Sequence, residues 1–204
     1  RQMCIRDRAI APWGGQMGLF GTNPIAFAVP RKDKDPMVID LALSKVARGK
    51  IMVAKRDNKP IPEGWALDAD GQPTTDPVAA LSGTMIPMGD AKGASLVLMV
   101  ELLSAALTGS NFGFEASSFF EAQGNSPGVG QLLLAFAPNP LAGDQFFTRI
   151  EYLFGQILAQ EGTRLPGDRR LSLRKEAAEQ GLPLAKEQYT QLQKLASGSF
   201  LSEF

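Results

Sequence analysis

The 204 residues carry 21 basic and 21 acidic side chains, no histidine and one cysteine, and 44% of them are hydrophobic. A balanced charge gives no electrostatic basis for a nucleic-acid surface. A single Cys4 excludes an intrachain disulfide framework, and the lack of histidine leaves a zinc or haem site without its usual ligands.

The length is enough for a real core, and one domain is the default expectation. Arg1 to Arg8 carries four charges and no periodicity. It resembles translated adapter sequence, so residues 1–8 are read as a non-native leader and 9–204 as the domain. No apolar h-region precedes the domain, which makes a cytoplasmic protein the simplest reading.

Ile25 to Val29, closed by Pro24 and Pro30, reads as a strand with fixed ends. Arg31 to Asp35 is a charged turn, and Met37 to Leu41 is a second strand that can pair with the first. Ser44 is placed as the N-cap of a helix reaching Lys55, with Val46, Ile51 and Val53 as its apolar positions. Residues 57–77 are punctuated by Pro and Gly too often for regular elements, and Trp65 is expected to anchor this loop. Asp76-Pro77 caps a short helix. Lys92 to Thr108 is the strongest helix; it is apolar on most faces, hence central, and Gly109 ends it. Its apolar stretch from Ala94 to Leu107 contains Glu101 and is too short to span a bilayer. Glu101 is expected to be a buried, paired carboxylate. Residues 111–130 read as a mobile loop and Gln131 to Ala137 as a buried strand. Asp144 to Gln160 is an amphipathic helix, followed by a turn at Leu165 to Arg169 and helices over 170–180 and 185–196. The alternation argues a mixed α/β fold.

The chain contains no P-loop, no G-x-S-x-G and no complete G-x-G-x-x-G, so the usual dinucleotide fingerprint is missing. Gly21-Thr22-Asn23-Pro24 is a turn by chemistry, in which glycine allows close backbone approach. Asp40-Leu41-Ala42 lies at the end of a strand, where α/β sheets place ligands; Asp40 suits ribose hydroxyls or a carboxamide, or else caps the next helix. Arg48-Gly49 offers a bidentate partner for a carboxylate, or a solvated helical arginine. Gly89-Asp90-Ala91-Lys92-Gly93 runs into a helix N-terminus, where amides and the dipole favour an anion; the alternative is an ordinary helix start. Pro166-Gly167-Asp168-Arg169-Arg170 is a turn with two arginines, which by itself reads as a basic helix start. A phosphate-binding hydrolase built on Gly89–Gly93 lacks a nucleophile–base pair.

Taken in order, these segments resemble the type-2 malate/L-lactate dehydrogenase family of NAD(P)-dependent oxidoreductases, over Ala9 to about Ala196. The resemblance implies a non-Rossmann NAD(P)-binding sheet with flanking helices. It implies hydride transfer to or from a small 2-oxo or 2-hydroxy acid, or a cyclic 2-imino acid. Substrate contacts would fall on Thr22, Arg48 and Gly49. Cofactor contacts would fall on Asp40, Leu41, Ala42, Ala91, Lys92, Gly167, Asp168, Arg169 and Arg170, with NADP favoured over NAD.

Two positions depart from the family pattern: Leu43 replaces a threonine, and Asp90 stands where a second glycine is usual. The resemblance also implies a homodimer, and it assigns the proton step to a histidine that this chain lacks. The chain is therefore expected to be a C-terminal part of an enzyme and to show no turnover alone; a binding domain that kept the fold is the alternative. Ser118-Phe119-Phe120 and Gln131-Leu132 point towards the imino acid reductase branch.

Overall fold

Pro24 and Pro30, which flank the first apolar run, shape the first element of the structure, a computed structural model that describes residues 8–117 and 124–197. Strand β1 (Ile25–Arg31) and strand β2 (Lys34–Leu41) form an antiparallel hairpin, with Ile25 opposite Leu41, Ala26 opposite Asp40 and Val29 opposite Met37. The ladder slips between Val29 and Arg31. Pro30 lies there and Pro36 lies on the facing strand, and neither has an N–H to donate. The tip turns through Asp33 at φ 56°, a left-handed conformation that aspartate tolerates.

Helix α1 spans Arg48–Arg56, which corrects the expected start at Ser44. Its N-cap position is Ala47. Ser44 instead forms a bridge with Pro87, and its Oγ donates to the Val46 carbonyl at 2.7 Å. Bonding its own near backbone is the usual competitor to capping. Val46 and Ile51 are buried, while Val53 faces out. The punctuated stretch after α1 contains only the two-residue strands β3 (Ala66–Leu67) and β4 (Pro73–Thr74). Asp76 caps helix α2 (Pro77–Ser82) as expected, accepting from the N–H groups of Val78 and Ala79. Strand β5 (Thr84–Met85) pairs with β3, giving a three-stranded sheet in the order β4-β3-β5. Trp65 packs against the core here, and its carbonyl accepts from the Ile86 N–H.

Helix α3 covers Asp90–Glu101 and continues as a π-helical segment at Leu102–Ala106 before Gly109 turns left-handed. Only one stripe of it is buried: Gly93, Ala94, Val97, Glu101, Ser104 and Ala105. Leu98, Met99, Leu102, Leu103 and Leu107 are exposed. The expectation of a helix covered on most faces is corrected accordingly. Residues 111–117 and 124–130 form an anchored loop, not a free one. The Asn111 N–H donates to the Gly128 carbonyl, and Gly130 sits so close to the Ser104 carbonyl that a Cβ there would overlap it. Gln131 to Ala137 is also corrected: it is irregular and exposed, with Leu133 89% exposed. No strand among the described residues pairs with it, and an unpaired segment must leave its backbone groups to water.

Short helix α4 (Asn139–Ala142) leads into α5 (Gln145–Leu158), then α6 (Asp168–Gln180) and α7 (Lys186–Ala196). Two cores result. The larger gathers Ile10, Phe20, Leu43, Ile51, Ile61, Met85 and Val97, while the smaller holds Val29, Met37, Phe154 and Leu165. The hairpin serves both, since Ile25 and Leu41 pack on the first core and Ile39 on the second. The fold is mixed α/β, as the alternation of elements predicts.

Candidate functional site

The C-terminal half of β2 lies between two groups of the residues singled out in the sequence. On one side is the turn into α6. Gly167 has φ 94°, and a Cβ there would meet the Val38 carbonyl at 3.2 Å. A side chain would be strained both by the backbone angle and by this approach, so glycine lets the turn lie directly on β2. Asp168 closes the turn: its Oδ2 accepts from the Leu165 N–H at 2.9 Å, leaving the other oxygen uncommitted by that bond. The Arg170 guanidinium is 4.0 Å from Asp40 Oδ2.

Between β2 and α6 opens a cleft of about 710 Å³ lined by Val38, Asp40, Gly167, Arg169 and Arg170, with Arg164, Arg174 and Leu173 also in its lining. Four arginines and one aspartate thus line the same cleft. Guanidinium groups bind phosphate with paired N–H bonds, so the donor set fits an anionic ligand that also presents hydroxyls to Asp40.

On the other side of β2 the chain passes through Ala42 to Leu43, whose N–H donates to the Thr22 carbonyl and whose carbonyl accepts from the Met88 N–H, both at 2.8 Å. Thr22, Leu43 and Met88 are therefore neighbours on three adjacent segments. Gly89 and Asp90 follow in left-handed conformations, and Ala91 and Lys92 occupy the exposed first turn of α3. Gly93 makes this approach possible, because a Cβ there would fall 1.5 Å from the Met88 carbonyl oxygen. One line of residues results: Gly167 to Arg170, then Asp40 to Ala42, then Thr22 beside the loop that carries Lys92.

Thr22 and Asn23 are buried, and Asn23 is held at φ 40°. Its Nδ2 donates to the Val97 carbonyl at 2.8 Å and to Glu101 Oε2 at 2.7 Å, while Glu101 Oε1 accepts from the Gly113 N–H at 2.5 Å. The buried carboxylate is satisfied by two N–H donors instead of a cation. It ties the Thr22 turn, α3 and the 111–117 loop together at the point where α3 becomes a π-helix, a distortion often found near functional sites.

Arg48 and Gly49 stand at the start of α1. Arg48 Nη2 donates to the Leu81 carbonyl at 3.2 Å, and Gly49 lines a second recess of about 420 Å³ with Val53, Ile61 and Trp65. Sequence reasoning missed Arg164 and Arg174. The latter was legible, since Arg174 follows Arg170 by one helical turn and shares its face.

The sequence profile described as malate/L-lactate dehydrogenase matches residues 2–193. A (2R)-3-sulfolactate dehydrogenase (NADP(+)) from Chromohalobacter salexigens is 64% identical over 171 residues, which is 84% of this chain and 51% of that protein. A Delta(1)-pyrroline-2-carboxylate reductase from Agrobacterium fabrum is 43% identical over 197 residues, covering 95% of this chain and 56% of its own length. Among solved structures, the delta1-piperideine-2-carboxylate reductase from Pseudomonas syringae pv. tomato superposes with a TM-score of 0.84 at 41% identity, covering 92% of this chain and 57% of that one. The chain spans about half the length of the curated relatives it matches. The expectation that it is a C-terminal piece is not borne out by these matches.

Proposed function

The chain belongs to the malate/L-lactate dehydrogenase family, and from that premise we propose that it carries the cofactor- and substrate-binding surface of an NADPH-dependent oxidoreductase acting on a small 2-oxo or 2-hydroxy acid. The observation that carries the reading is the cleft that Arg169, Arg170, Arg164 and Arg174 line together with Asp40 and Gly167. Its basic lining suits a 2′-phosphate, and Asp40 suits the remaining 3′-hydroxyl of the same ribose. When bound there, the nicotinamide cofactor supplies or accepts the hydride.

The chain's own residues bind and orient. Gly167 admits the turn to β2, and Leu41 and Ala42 offer backbone on the path towards Thr22. Lys92 and the α3 amides add positive potential at the far end. Thr22 and Arg48, with Gly49 beside it, are assigned to the substrate carboxylate. No histidine is available for the proton that accompanies the hydride, so cofactor binding without turnover is the expected behaviour of these 204 residues alone.

The 64% identity to a sulfolactate dehydrogenase, against 43% to an imino acid reductase, favours a hydroxy acid over a cyclic imino acid. The cyclic imino acid, to which Gln131-Leu132 and Ser118-Phe119-Phe120 point, stays the alternative substrate class; the latter three residues lie outside the described residues. A homodimer is proposed on the exposed leucines of α3 and its π-helical extension. A cytoplasmic location is proposed as well; among the described residues no helix is long and apolar enough to cross a membrane.

The test is a fluorescence titration of the purified chain with NADPH and NADH, followed by displacement with 2′,5′-ADP. Saturable binding that prefers NADPH and yields to 2′,5′-ADP is expected. Absence of saturation, or equal affinity for both cofactors, would overturn the reading.

A further inference from the structure

The tip of the hairpin carries an ion network that the binding surface itself does not need. Arg31 grips Glu151 of α5 with both arms of its guanidinium, Nε to Oε1 at 2.6 Å and Nη2 to Oε2 at 2.8 Å. Lys34 Nζ adds a third bond to Oε2 at 2.7 Å. The Arg31 guanidinium also lies over the Phe154 ring, 5.1 Å from its centroid, an arrangement attractive in its own right. The Arg31 side chain is only 13% exposed, so the pair is more sheltered than an ordinary surface ion pair.

This network sits at one end of the smaller core. Phe154 follows Glu151 by three positions, on the same face of α5. It packs in that core with Val29 and Met37 of the hairpin and with Leu165. Leu165 opens the turn that bears Gly167 and Arg170. Besides these four buried side chains, Ile39 of the hairpin and Phe146, Ile150 and Ile157 of α5 pack partly buried against the same core, so the hairpin and the helix meet through it. The ladder slip at Pro30 brings Arg31 opposite Lys34, so both cations converge on one carboxylate. The other end of the same strand pair carries Val38 and Asp40, which line the cleft against Gly167 and Arg170. Rotation of the hairpin on α5 would therefore change the width of that cleft.

We propose that Glu151, held by Arg31 and Lys34, is a positioning residue for the cofactor: it sets the distance between Asp40 on the hairpin and the Gly167–Arg170 turn. The proposal rests on the cofactor reading of that cleft. Asp168 reinforces the coupling. The charge of Arg31 is favoured first by its bond to Glu151 and also by the nearby charge of Asp168, the first residue of α6. The tip cation thus feels both the helix it grips and the turn it helps to place.

The experiment measures NADPH affinity of the full chain, well below its unfolding temperature, for wild type, Glu151→Gln, Lys34→Met, and the charge swap Arg31→Glu with Glu151→Arg. Oxalate affinity, a probe of the Thr22 and Arg48 side, is measured in parallel. Glu151→Gln is expected to weaken NADPH roughly 3- to 30-fold, the range in which residues act through others. Oxalate affinity should stay within about two-fold, where altered coupling is negligible. Lys34→Met, which keeps the bidentate pair, should show a smaller loss in the same direction and serves if Glu151→Gln does not fold. The charge swap should restore most of the affinity. Unchanged NADPH affinity in folded Glu151→Gln or Lys34→Met, or equal losses for NADPH and oxalate, would overturn the proposal. Arg170→Ala separates the two claims. If it leaves NADPH binding intact, the cofactor reading fails; if it weakens binding while folded Glu151→Gln leaves NADPH affinity unchanged, only the positioning role fails.

Discussion

Replacing Arg170 by alanine separates stability from recognition. The guanidinium is half exposed and 4.0 Å from Asp40 Oδ2, and an ion pair in that setting contributes about 0–1 kcal/mol to folding. The midpoint of thermal unfolding should therefore barely move. On the binding side the arithmetic is different. A hydrogen bond between charged partners is worth about 1.5–3 kcal/mol. Removing Arg170 also takes away the cation 4.0 Å from Asp40. At a separation of about 6 Å in water, the repulsion between Asp40 and a single phosphate charge is about 0.7 kcal/mol. Together the two effects predict a loss of about 2.2–3.7 kcal/mol, or roughly 40- to 500-fold in NADPH affinity. NADH, which has no 2′-phosphate, should lose far less. Adding Asp40→Asn should restore only the repulsive share, a factor of about three. Fluorescence titrations of the two cofactors against wild type, Arg170→Ala and the double variant measure all of this. Arg170→Ala binding NADPH within about three-fold of wild type, where only the repulsive share would be felt, would refute the reasoning. So would equal losses for NADPH and NADH.

Gly93→Ala should destabilise the chain by about 3 kcal/mol or more, because the new Cβ would fall 1.5 Å from the Met88 carbonyl and backbone must move; an unchanged urea midpoint would contradict this. Glu101→Gln should cost about 1–3 kcal/mol, since an amide offers one acceptor to the two N–H donors of Asn23 and Gly113, and denaturant unfolding reads it directly. The Glu151 carboxyl is held down to about 2 from its ordinary 4.5, first by its bond to Arg31 and then by Lys34. A lowered folded value means that the stabilisation is fully present above the unfolded value, near 4.5, and is lost as pH falls through about 2. The stability difference between wild type and Glu151→Gln should therefore be flat from pH 5 to 8 (the range above about 4.5) and shrink towards acid; a difference independent of pH down to about 2 would contradict the assignment.

Local chemistry made much of this legible in the sequence. The hairpin followed from two apolar runs, the first bracketed by prolines, the α2 cap from Asp76-Pro77, and α5 from its apolar spacing. What failed depended on distant partners. Ser44 looked like a cap but pairs its segment with Pro87, forty-three residues on. Gln131 to Ala137 has the composition of a buried strand, yet a strand exists only with a partner, and none among the described residues supplies one. The candidate site was read as separate motifs, each with a plain structural alternative. Their alignment along β2 needed the Leu43 bonds to Thr22 and Met88 and the seat of Gly167 on Val38. The Arg31–Glu151 pair spans 120 residues, and no local pattern announces it.

The central claim is that one continuous surface, from the α6 turn across β2 to Thr22, holds the cofactor. A crystal structure of the chain with NADPH tests it most directly. The account predicts the 2′-phosphate against Arg169 and Arg170, the 3′-hydroxyl of that ribose at Asp40, and the nicotinamide towards Thr22 and Lys92. A cofactor whose adenosine end lies outside the cleft between β2 and α6 would contradict it.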